Sequence, residues 1–241
     1  MSPESTQQSS RSAIQMARSM CWHCQSEVGG EYFCKRCVKV QPLSPDLDYF
    51  TCMKLPRILQ IDEKALEETF YELSRTFHPD FYTTRDESEK AISLGNTALL
   101  NAAYRTLKDP FQRVEYLIRL EAGSAKDIRS APPADLFEEI LELQEDLETY
   151  RTVNPAEDPE TANQLRAKLQ ASREHLESRL EELESALFER FRRWDELQGQ
   201  SGHDGIDPRP QKDALLREMQ DLLSHRTYVR NIIQDLADTL G

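Results

Sequence analysis

The sequence predicts a mostly α-helical protein: a small four-cysteine metal knuckle, a helical module, then an antiparallel three-helix bundle. Three observations predict it. Apolar residues recur with a 3.6-residue period through most of the chain beyond the cysteines. Only 8 glycines accompany 38% hydrophobic and 30% charged residues, a balance suited to packed helices and not to Gly-rich phosphate loops. Four of the five cysteines fall within 17 residues.

The 241 residues suffice for one to three compact units. Formal charge is −13, and residues 121–241 hold −12 of it, with 15 bases against 27 acids. Such a surface repels phosphate backbones, so nucleic acid is not the expected partner. No apolar run approaches the roughly 20 residues of a membrane span, and a soluble chain without membrane contact is expected. Residues 1–20, "MSPESTQQSSRSAIQMARSM", carry Arg11 and Arg18 against Glu4 and have no apolar secretory core. They read either as a mitochondrial presequence or as a plain disordered terminus. Met16 and Met20 are alternative starts, and no cleavage point is evident.

The first structured element is "CWHCQSEVGGEYFCKRC", within residues 21–40. Cys21-x2-Cys24 and Cys34-x2-Cys37 are separated by nine residues, and Gly29-Gly30 lets the chain reverse between them. Two such hairpins present four thiolates to one tetrahedral Zn²⁺. Four sulfurs close the shell and leave no position for water, so the expected zinc is structural. His23 is a competing donor. Two disulfides would need an oxidising compartment, and a thioredoxin-like redox pair would need a βαβ context that is not evident. So small a segment buries little core, and metal is expected to supply most of its folding energy. Cys52 reads as a buried apolar side chain.

Pro42 and Pro45 mark a linker, after which Asp46 or Asp48 caps a short helix ending near Pro56. Asp62 caps the next helix, whose Leu66, Phe70, Leu73 and Phe77 share one face until Pro79 stops it. A third helix spans about Ser88 to Leu107, with Leu100, Ala103, Tyr104 and Leu107 on one side, and a fourth restarts after Pro110. His78, Pro79 and Asp80 therefore cross an exposed tip. A His and an Asp flanking a proline cannot readily fold onto each other as base and orienter, and no nucleophile motif or metal triad accompanies them. A docking loop is the better reading, with Asp80 offering a charge-assisted contact to a partner's arginine.

"DYFTCMKLP", "LSRTFHPDFY", "LNAAYRTLKDP" and "RVEYLIRL" resemble, in that order, a J domain over about residues 46–120. The resemblance implies a module that stimulates ATP hydrolysis by heat shock protein 70 chaperones and is not itself an enzyme. It places the docking tripeptide on His78, Pro79 and Asp80. The family's basic second helix is not matched: Asp62 to Phe77 holds Lys64 and Arg75 against five acids, and Phe81 follows the tripeptide where a base is frequent. Arg75 and Arg85 are the remaining basic contributors.

Three long helical patterns then span residues 131–241, broken at "TVNPAEDPE" and "GQSGHDGIDPRP". Their stripes are Leu136, Ile140, Leu143 and Leu147; Leu165, Leu169, Leu176, Leu180, Leu183, Leu187 and Trp194; and Leu215, Met219, Leu222, Val229, Ile233, Leu236 and Leu240. The short breaks favour a bundle over a long coiled coil. Beside the first stripe lie Phe137 and Leu141, flanked by Glu138 and Glu142. On periodicity alone this pair is either a broad core face or an apolar patch for a basic partner.

A J domain followed by an acidic bundle opening with "LFEEILELQEDLE" is similar to the HscB family of co-chaperones, over about residues 21–241. The resemblance implies binding to an IscU-type iron–sulfur scaffold protein and its delivery to a heat shock protein 70. It places scaffold contacts on Phe137, Leu141, Glu142 and Tyr228. The knuckle resembles that of eukaryotic members and implies the mitochondrial matrix. The chain itself is expected to hold no iron–sulfur cluster, and a homodimer is left open. The rival readings are a general J protein acting on unfolded clients, a metal or redox enzyme using the cysteines, and a cluster carrier.

Overall fold

The computed structural model describes residues 20–122, 131–199 and 209–241. The presequence-like segment therefore lies outside the described residues, apart from Met20. The described chain is helical, with two isolated antiparallel bridges, Met20 to Glu27 and Phe33 to Val40. It divides into two compact units. One comprises the chain up to Arg57 with Ile61–Asp109, the other Ile58–Gln60 with Pro110–Gly241.

In the first unit, helix α1 (Tyr49–Cys52) begins where the Asp48 side chain accepts the Thr51 amide, which resolves the choice between the two aspartates. Helix α2 (Glu63–Phe77) is capped by Asp62, which accepts the Lys64 and Ala65 amides. Helix α3 (Glu87–Lys108) is capped by Asp86. Phe50, Cys52, Leu66, Leu73, Phe77, Leu100, Ala103 and Leu107 form the buried interior, and Phe70 stacks on Tyr104 with ring centroids 4.2 Å apart. Burial pushes the Cys52 thiol up to about 11, with nearby Asp48 adding to the shift, as suits a neutral packing residue.

The buried stripe of α3 changes character along its length. Leu100, Ala103 and Leu107 are apolar, but the preceding positions of the same row are Glu89, Ser93 and Asn96. Each has a defined partner. Glu89 receives Lys39 Nζ at 2.6 Å, and Lys39 also reaches Asp86 at 2.7 Å. Ser93 Oγ donates to the Phe77 carbonyl at 2.7 Å. Asn96 donates to the Gln41 carbonyl at 2.9 Å and accepts the Leu43 amide at 2.8 Å. Tyr32 also meets Phe77 edge-on, with centroids 5.2 Å apart. The knuckle segment is thus tied to α2 and α3 by polar groups that an apolar stripe would have left orphaned.

In the second unit, helix α4 (Pro110–Ala122) buries Val114, Leu117 and Ile118 and packs on helix α7 (Arg209–Leu240). Arg226 of α7 stacks its guanidinium 3.3 Å from the Phe111 ring centre. The fourth helix of the expected module thus packs within the second unit. A single 3₁₀ turn (Ala134–Leu136) leads into helix α5 (Phe137–Thr152), and helix α6 (Pro159–Gly199) follows. Leu136, Ile140, Leu143 and Leu147 of the expected first stripe are buried against Leu169, Leu176, Leu183, Val229, Leu236 and Leu240. Asp195 of α6 accepts the amides of Leu59 and Gln60 at 2.7 and 2.8 Å, which places the 58–60 strip in this unit. No helix among the described residues is long and apolar enough to cross a membrane.

Candidate functional site

The four knuckle cysteines converge as their spacing requires. Their sulfurs all lie within 4.8 Å of one another, with Cys21–Cys37 and Cys24–Cys34 each at 3.6 Å. A Zn–S bond of about 2.3 Å gives a regular tetrahedron edges of about 3.8 Å, so the thiols fit one such ion. The two halves repeat each other. The Cys21 and Cys34 amides reach the Ser26 and Lys39 carbonyls, while the Gln25 and Val38 amides reach the Cys21 and Cys34 carbonyls. Gln25 and Val38 hold φ of 56° and 59°, a left-handed conformation uncommon in non-glycine residues that turns each hairpin past its second cysteine.

Polar donors surround the sulfurs. Ser26 Oγ lies 3.0 Å from Cys24 Sγ and 3.2 Å from Cys34 Sγ, and Gln41 Nε2 donates to Cys21 Sγ at 3.4 Å. The Ser26 hydroxyl and the Cys37 amide bring the Cys34 thiol down to about 6. Burial, with the other thiols adding, pushes Cys37 up to about 12. Thiols this close cannot all ionise together without a cation between them. The site can hold a metal ion, and Ser26 and Gln41 are partners that the Cys spacing did not reveal.

The His-Pro-Asp loop is held from beneath. The Phe77 carbonyl, left over at the end of α2, accepts from both Ser93 Oγ and Thr97 Oγ1. The Tyr82 hydroxyl donates to the Thr76 carbonyl at 2.9 Å. Pro79–Tyr82 forms one 3₁₀ turn in which His78 Nδ1 accepts the Asp80 amide at 3.3 Å. His78 Nδ1 and Asp80 Oδ2 are 3.5 Å apart, and both side chains are exposed. The two side chains thus come closer than the intervening proline led one to expect, but both lie in the open. Arg75 and Arg85 are exposed, and Arg75 makes no ion pair with an acid among the described residues.

On α5 the structure separates Phe137 and Leu141 from the core: they are 52% and 47% exposed, whereas Leu136 and Ile140 are buried. Glu142 is exposed but pairs with Lys168 of α6 at 2.7 Å, and Lys168 also meets Asp146 at 2.8 Å. Tyr228 of α7 is half-buried against the core cluster of the bundle. The site residues therefore lie in two units, with the knuckle and the loop in the first and the α5 face and Tyr228 in the second.

A helical chain with a four-thiol knuckle and an exposed His-Pro-Asp turn has the make-up of a co-chaperone of the J class. No family model matches the chain. It is 31% identical over 169 residues to the Mus musculus iron–sulfur cluster co-chaperone protein HscB, covering 67% of this chain and 70% of that protein. It is 36% identical over 104 residues to the Homo sapiens protein of the same name, covering 42% of this chain and 44% of that one. The crystal structure of human co-chaperone protein HscB shares the fold, with a TM-score of 0.57 at 24% identity, over 90% of this chain and 96% of that chain. The chain belongs to the HscB family of iron–sulfur cluster co-chaperones.

Proposed function

We propose that this co-chaperone binds an IscU-type iron–sulfur scaffold protein, brings it to a heat shock protein 70 and stimulates that chaperone's ATPase. The observation that carries the reading is the His-Pro-Asp turn, exposed at its tip and braced at its base by Ser93, Thr97 and Tyr82. A rigid turn meets a partner at low ordering cost. Asp80 supplies a carboxylate for a partner arginine, and Arg75 and Arg85 supply positive charge nearby. Phe137 and Leu141, with Glu142 and Tyr228, form the scaffold surface in this reading. The exposure of the apolar pair supports it, since a packing role would have buried both. Holding the scaffold raises its effective concentration at the chaperone.

The knuckle holds one structural zinc through Cys21, Cys24, Cys34 and Cys37, as the four-sulfur donor set and its spacing support. The mitochondrial matrix, where iron–sulfur scaffolds of this type work, is the proposed location. The test is a pull-down with the full chain. Scaffold and chaperone should dominate the captured proteins, Asp80→Ala should lose the chaperone alone, and Phe137→Ala with Leu141→Ala should lose the scaffold alone. Capture of many unfolded polypeptides, insensitive to the α5 changes, would contradict the reading.

A further inference from the structure

One row of side chains on α2 leads directly to the His-Pro-Asp turn. Glu68, Tyr71, Arg75 and His78 follow one another at spacings of three or four residues and are all exposed. Phe81 continues the row, its ring centre 6.0 Å from that of His78 in an edge-on arrangement. Tyr71 is 54% exposed and Phe81 65%, so two large aromatic side chains stand in solvent on either side of the docking histidine. Neither is among the buried residues of the unit, and what sets them apart from other exposed apolar side chains is that they share one row with the docking histidine.

The charges on the same row decide the kind of partner surface. Glu68 and Arg75 balance each other. Of the other α2 acids, Glu72 is matched by Lys54 at 3.6 Å, and Glu67 accepts from the Tyr71 hydroxyl. The row therefore offers no net positive field to draw in an acidic surface. We infer that Tyr71 and Phe81 form an apolar anchor for the chaperone's ATPase domain, which must present an apolar patch next to the group that meets Asp80. The inference rests on the proposed J-type function and names the chemistry of its contact. Apolar burial beside the Asp80 contact takes the place of a broad basic field, so affinity resides in a slow off-rate and responds weakly to salt.

The test uses the full chain and a purified full-length heat shock protein 70 from the same organism, measuring the co-chaperone concentration that half-maximally stimulates ATP hydrolysis. Tyr71→Ala and Phe81→Ala should each raise it by roughly fivefold to thirtyfold with an unchanged melting temperature, because both side chains are exposed. For the unmodified chain it should rise less than about threefold between about 50 and 300 mM salt. Variants that match the unmodified chain, or a rise of tenfold or more with salt, would overturn the apolar anchor while Asp80→Ala still abolishes stimulation and preserves the functional reading. An unmodified chain that gives no stimulation would overturn both. Equal losses in self-association and none in ATPase stimulation would assign the row to a second copy of this chain and overturn the inference.

Discussion

Phe137 and Leu141 differ from Leu136 and Ile140 by one position on the helix, yet one pair is exposed and the other buried. A 100° step per residue is enough to carry a side chain off the core face. Truncating the exposed pair should therefore leave the melting temperature unchanged and weaken scaffold binding by roughly 2–4 kcal/mol, as calorimetry of the purified pair would show. Tyr228 behaves in the opposite way. It packs partly against the bundle core, so Tyr228→Ala should lower bundle stability by about 1–3 kcal/mol in denaturant unfolding, whatever it does to binding. Glu142 is already engaged by Lys168, whose ammonium is held protonated by Asp146 and Glu142 together. A partner cation must compete for that carboxylate. The sequence singled out Phe137, Leu141, Glu142 and Tyr228 as candidates, but the Lys168 pairing joins positions 26 apart and leaves no local mark.

Among the elements, α3 shows most clearly what a period can and cannot convey. Its C-terminal half was legible as a helix face because Leu100, Ala103 and Leu107 are apolar. Its N-terminal half was not, because Glu89, Ser93 and Asn96 occupy the same buried row with polar side chains. Those residues carry the link to the knuckle and the brace under the loop. A polar residue in phase with an apolar stripe was the available signal. Asn96→Leu should keep the helix but orphan the Leu43 amide and the Gln41 carbonyl, costing about 1–3 kcal/mol. Hydrogen exchange should locate the loss in residues 41–43. At α1, burial raises the Asp48 carboxyl, but the Thr51 amide, Arg57 and the Thr51 hydroxyl outweigh it and hold it below its ordinary value. A depressed carboxyl contributes stability that is complete above the unfolded pKa of about 3.9 and lost as pH falls through the lower folded value. Asp48→Asn should therefore destabilise the first unit at neutral pH by about 1 kcal/mol, and the gap in melting temperature should close on acidification.

At the scale of the whole molecule, the helical class, the order of the segments and the cysteine site were all legible, since each rests on local spacing. The packing of α4 within the second unit was not, because it depends on Arg226 and Phe111, far apart in sequence. A knuckle this small draws little stability from its own core, and it leans on α2 and α3 through Lys39, Asn96 and Tyr32 while its four thiols can hold the proposed metal. Removing the metal with a chelator should release amide protection across residues 20–40 while the α2–α3 interior stays protected, a split that hydrogen exchange would resolve. In the proposed function this chain acts on another protein's active site through the braced turn. Single-turnover ATP hydrolysis by heat shock protein 70, with scaffold present, tests it most directly. The full chain should accelerate hydrolysis, and Asp80→Ala should return the rate to that of the chaperone alone while still binding scaffold. Undiminished acceleration by Asp80→Ala would rule out that role for the turn.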